Sequence, residues 1–70
     1  MMKVSARNQW RGKVESITEG AVNGIVVLDI GSGNKATATI SMAAIKDLDL
    51  KVGKDAYAIV KATSVMIGTD

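Results

Sequence analysis

Five side chains within the stretch Ser5-Ala6-Arg7-Asn8-Gln9-Trp10 can donate hydrogen bonds: one hydroxyl, one guanidinium, two amides and one indole N–H. No carboxylate interrupts them. A bare oxyanion offers acceptors only, so a run of donors free of acidic competitors suits it, and Arg7 adds charge. The same stretch also fits a polar strand end, with Arg7 solvated and Asn8 in a turn.

Two further places carry the same chemistry. Lys61-Ala62-Thr63-Ser64 combines an ammonium group with two hydroxyls. It falls between two expected strands, where backbone N–H groups can turn toward an anion. It also reads as an ordinary polar hairpin. Ser41 stands where a strand opens a short helix, and free N–H groups at such a junction attract anions. Ser41 is equally a plain N-cap, and the two roles are compatible. Gly31-Ser32-Gly33-Asn34 lacks the Gly-Lys-Ser/Thr continuation of a phosphate loop and reads as a turn.

Catalysis has no support. The chain holds neither His nor Cys, so the usual general bases and the strongest nucleophile are missing. Its seven carboxylates form no recognisable acid/base pair. The expectation is a binding protein, not an enzyme.

The elements that must position these donors follow from hydrophobic periodicity. Alternation from Met2 and Val4 through Trp10, Gly12, Val14 and Ser16 predicts one long or bent strand over Lys3–Ile17. Ala21–Ile30 is the clearest strand, and its Ile25 and Val27 imply a partly covered second face. Gly31–Asn34 turns the chain into a return strand, Lys35–Ser41. A short helix follows over Met42–Leu48, with Met42, Ile45 and Leu48 on one side. Asp55–Lys61 and Ser64–Gly68 complete the set. The predicted fold is mainly β: a small five-stranded OB-like barrel with one short helix between strands 3 and 4. Residues 1–70 are expected to form one domain.

A 70-residue chain buries too little surface to be comfortable alone. Without Cys it has no disulfides, and without His a structural zinc is excluded in practice. Oligomerisation remains as the means of support. The apolar fraction of 47% is aliphatic, with no Phe, one Tyr and one Trp. A net charge of +2 without basic runs argues against nucleic acid, as does the lack of stacking aromatics. No segment is apolar enough to span a membrane, and no signal peptide opens the chain. The lack of Cys agrees with a cytoplasmic location.

The opening Ser5-Ala6-Arg7-Asn8-Gln9-Trp10, followed by Gly12-Lys13-Val14, resembles the start of the Mop family, the molbindins. Asn34 to Ile40, Leu50-x-Val52-Gly53 and Val60-Lys61-Ala62-Thr63-Ser64-Val65-Met66-Ile67 resemble the rest of its pattern. The resemblance implies a domain that binds molybdate, and often tungstate, as the intact oxyanion. It implies a homo-oligomer, a hexamer built from dimers, with anion sites at subunit interfaces and a role in storage or buffering. Ser5, Ala6 and Arg7 match the family's first binding segment, and Lys61 and Ala62 match its second. Thr63 or Ser64 stands as the nearby hydroxyl, and Ser41 matches a hydroxyl position at the strand–helix junction. Asn8, Gln9 and Trp10 are expected to hold the segment against a neighbouring subunit.

The physics agrees. Molybdate at neutral pH is a dianion without protons, so a pocket of donors satisfies every oxygen. Phosphate keeps a proton near pH 7 and would leave a buried donor unpaired. Sulfate is protonless too, so only size and fit can discriminate against it. Rival readings are an anion-sensing subunit of molybdate transport or regulation, an OB-type nucleic-acid module, and a pterin binder.

Overall fold

The computed structural model describes residues 3–70. Four strands and one helix form in the order β1 (Asn8–Thr18), β2 (Asn23–Gly31), β3 (Asn34–Ser41), α1 (Met42–Asp47) and β4 (Asp55–Val60), and a single 3-10 turn follows over Ala62–Ser64. All pairings are antiparallel and the sheet order is β3-β2-β1-β4. The sheet curls into a half-barrel. The mainly β class, the curl and the helix between β3 and β4 agree with expectation.

The fifth strand does not form. Ala62–Ser64 coils instead, and Val65 returns to extended backbone (φ −90°, ψ 129°) with no strand of this chain beside it. Val65, Met66 and Ile67 are 41%, 91% and 92% exposed. An extended segment becomes a strand only when a neighbour takes its backbone groups, and β3 and β4 form the two edges of this sheet without it.

β1 starts at Asn8 rather than Lys3, because its partner β4 stops at Val60. Met2, drawn into that strand by the alternation, lies outside the described residues. Along β1 the expected period of two breaks. Val14 pairs with Leu28 but Ser16 pairs with Val27, so one extra residue bulges between them. Beyond the bulge Ile17, not Ser16, packs against the core. β2 begins at Asn23 rather than Ala21, and Ile25 on its outer face stays 43% exposed.

Val14, Val26, Leu28 and Ile45 are the buried core, with Ile17, Ile40, Met42 and Leu50 among those packed around it. The helix sits on Gly24, where a Cβ would come within 2.6 Å of Ile45 Cδ1 and 2.9 Å of Met42 Sδ. Ser41 Oγ caps it by accepting from the Ala44 N–H at 3.0 Å. Lys54 Nζ closes the other end by donating to the carbonyls of Leu48 (2.8 Å) and Asp49 (3.1 Å). The β2–β3 hairpin turns through Ser32 (φ 54°) and Gly33 (φ 78°). Positive φ at both central residues matches the sheet's twist.

Candidate anion-binding site

β1 is shared between two ladders. Asn8–Lys13 pairs with β4, and Lys13–Thr18 pairs with β2. From Asn8 to Arg11, β1 therefore has β4 on one side and no paired strand on the other among the described residues. The β1–β4 ladder ends at the pair Asn8↔Val60. Arg7 and Lys61 are the next residue on each strand, so the two donor segments leave the sheet side by side. Antiparallel neighbours sit about 5 Å apart, which brings the Arg7 and Lys61 ends of the two segments together despite their separation in sequence.

Local geometry leaves donors free. Lys61 is extended (φ −61°, ψ 135°), and the 3-10 turn after it has no side-chain cap. The Ser64 N–H donates to the Lys61 carbonyl at 2.8 Å, and the Val65 N–H to the Ala62 carbonyl at 3.3 Å. Those bonds occupy the acceptors of the turn, while the first N–H groups of any such turn have no partner within it. Ser5, Arg7, Lys61, Thr63 and Ser64 are exposed and Ala6 is half-buried.

The electrostatics point the same way. Asp55 pairs with Arg11 and Lys13, Glu15 with Lys35, and Asp49 with Lys51 and Lys54. Among the described residues, neither Arg7 nor Lys61 belongs to any of these pairs. Hydrogen bonds from Lys13 and then Arg11 hold the Asp55 carboxyl below its ordinary value. The Glu15 hydrogen bond raises Lys35. These exposed pairs brace the middle of the outer sheet face and contribute little to stability. They also leave the positive charge at the end of the β1–β4 ladder uncompensated.

Ser41 is not part of this cluster within one chain. It pairs with Asn23 at the far end of β2 and β3, beside the Thr18 end of β1. The rise of an extended strand puts the two ends of β1 roughly 30 Å apart. The Ser41 hydroxyl serves here as the helix cap.

Asn8 and Gln9 each also make a bond within their own chain. Asn8 Nδ2 donates to the Val60 carbonyl at 3.3 Å, and Gln9 Nε2 to the Ala6 carbonyl at 3.0 Å. Lys54 as the lock on the helix end was also missed, since only the fold brings it back to Leu48.

A groove of about 490 Å³ opens between the β3 and β4 edges, lined by residues such as Val26, Leu28, Ala38, Ile40, Ala56 and Ala58. Its apolar wall cannot satisfy an oxyanion. No group of three His, Cys, Asp or Glu side chains suited to a metal cation occurs among the described residues. No helix among them is long and apolar enough to cross a membrane.

Comparison with known proteins bears on this geometry. The TOBE domain model matches residues 4–67. The probable molybdenum-pterin-binding protein of Haemophilus influenzae is 62% identical over 69 residues, covering 99% of this chain and 100% of that one. MopII from Clostridium pasteurianum superposes with a TM-score of 0.90 at 45% identity, over 96% of this chain and all of that one. A molybdate-binding protein from Sporomusa ovata gives 0.89 at 35% identity, over 97% and 100%. Sequence, fold and the paired donor segments agree: the chain belongs to the TOBE domain family and, within it, to the molybdenum-pterin-binding (Mop) proteins.

Proposed function

We propose that this protein binds molybdate as the intact oxyanion and stores or buffers it without transforming it. The observation that carries the reading is the meeting of two donor segments, each with an unpaired cation, at the end of the β1–β4 ladder. Ser5, Ala6 and Arg7 supply one side of the site, and Lys61, Ala62, Thr63 and Ser64 the other. Tungstate, a dianion of the same shape, suits the same donors. The names of the relatives point to the same ligand.

A bare anion is favoured over a pterin. Trp10 lies opposite Ala58 and Tyr57 opposite Arg11, so the only two aromatic rings project from opposite faces of the sheet. They cannot sandwich a ring between them.

The site is completed by other copies of the chain, in a homo-oligomer read as a hexamer built from dimers. The open edge of β1 from Asn8 to Arg11, the exposed Val65–Ile67 and the apolar groove all support assembly. Ser41 enters the site from a second copy. Binding across such an interface strengthens the assembly by mass action. One domain over residues 1–70 and a reducing, cytoplasmic setting belong to the same reading.

Native mass spectrometry with molybdate, sulfate and phosphate in parallel tests it. The expected result is a hexamer that gains molybdate in whole steps and gains neither phosphate nor an equal load of sulfate. A monomer that takes up no anion overturns the proposal.

A further inference from the structure

A peptide unit is planar and trans, so holding its carbonyl in place also aims its N–H in the opposite direction. Two such units matter at the open end of β1. The first joins Ala6 to Arg7, and the second joins Val60 to Lys61. Each ends in the N–H of a cationic residue of the site. Each has its carbonyl held by a side-chain amide from β1: Gln9 Nε2 to Ala6 at 3.0 Å, and Asn8 Nδ2 to Val60 at 3.3 Å. Asn8 and Gln9 are consecutive on the strand and leave it on opposite faces. Both nevertheless end on the carbonyl that directly precedes a cation.

We infer that Asn8 and Gln9 are positioning residues of the anion site, acting through these two peptide units. They fix the direction in which the Arg7 and Lys61 N–H groups point. Gln9 also occupies the Ala6 carbonyl oxygen, which would otherwise be free to turn and repel an oxyanion, while Asn8 reinforces a Val60 carbonyl already set by the β1–β4 ladder. Gln9 has the more direct effect, because Ser5–Arg7 lies outside the strand and has no ladder to orient it. A solvated amide at a strand end would need neither contact. The inference rests on the reading that Arg7 and Lys61 flank the bound anion.

The test combines calorimetric titration of sodium molybdate with the amide proton resonances of Arg7 and Lys61. Gln9→Met keeps the length of the side chain and removes its donor. It should weaken molybdate about tenfold, the scale of a misdirected bond to a charged group, while apo melting temperature and native mass stay at wild-type values. The molybdate-induced shift of the Arg7 N–H should shrink in Gln9→Met, and that of the Lys61 N–H in Asn8→Leu. Gln9→Lys, which restores a donor, should recover most of the affinity. Wild-type affinity and an unchanged Arg7 shift in Gln9→Met overturn the inference and leave the anion site standing. So does a loss of affinity that tracks a lower melting temperature and is not rescued by Gln9→Lys. Failure of the wild-type protein to bind molybdate removes the underlying reading instead.

Discussion

The two ends of β1 carry similar residue types and use them in opposite ways. At the Thr18 end, helix α1 closes the half-barrel: Ile45 fills the core, Gly24 lets the helix approach, and Ser41 Oγ accepts the capping bond. At the Asn8 end the ladder stops, two cations lack acidic partners and a coiled turn offers its N–H groups. One end satisfies its own polar groups, while the other leaves Arg7 and Lys61 outside every ion pair found among the described residues. A hydroxyl therefore says little by itself, and what surrounds it decides whether it supports the fold or a ligand.

The comparison predicts that stability and anion affinity separate along the strand. The largest effect belongs to the open end. Arg7→Ala combined with Lys61→Ala removes two sets of charge-assisted bonds, each about 1.5–3 kcal/mol, so molybdate affinity should fall by more than about a hundredfold. Thermal unfolding followed by circular dichroism should hardly move, and calorimetric titration reads the loss of binding. If the double variant binds as wild type does, the ends do not differ in the way described.

Ile45→Ala attacks the closed end. It empties one of four buried core positions and should cost about 2–5 kcal/mol of stability. Chemical denaturation measures this, and the affinity of the protein that remains folded should match wild type.

Ser41→Ala sharpens the comparison. Losing the cap should cost about 1 kcal/mol, read as a lower melting temperature. Affinity should also fall about fivefold, since the proposed site takes the Ser41 hydroxyl from a second copy. Mixed oligomers of Ser41→Ala and Arg7→Ala chains provide the check. They should contain some sites with wild-type affinity, because the two changes fall in different copies. If mixing restores none, Ser41 is a cap alone.

Much of this was legible in the residues. Alternation located β2, β3 and β4 within two residues, and the spacing of Met42 and Ile45 located the helix, because burial on one face imposes a period that side-chain type reveals. Ser5–Arg7 and Lys61–Ser64 were legible as donor clusters. Their adjacency was not, since it depends on which strands pair and where the ladder ends. The bulge after Val14 was hidden because Ser16 and Ile17 both suit a strand, and only packing on Val26 decides between them. Ser64–Gly68 looked like a strand because Val65, Met66 and Ile67 are apolar. Composition records the wish to be covered but does not say by which chain.

The bulge in β1 has a consequence for how this small protein tolerates change. It acts as a phase shift in the strand: residues before it obey one parity and residues after it the other. Deleting Glu15 would remove the bulge and leave Val14 and Ile17 two residues apart, both still facing the core, whereas pairing Glu15 into the ladder would send either Val14 or Ile17 outward and turn one half of β1 over. The donor end and the core end would then no longer face their own partners together. Substitutions on either half are read locally, whereas loss of the bulge with Glu15 retained is read by the whole molecule. That Glu15 stays out of the ladder thus matters more than the identity of most residues around it.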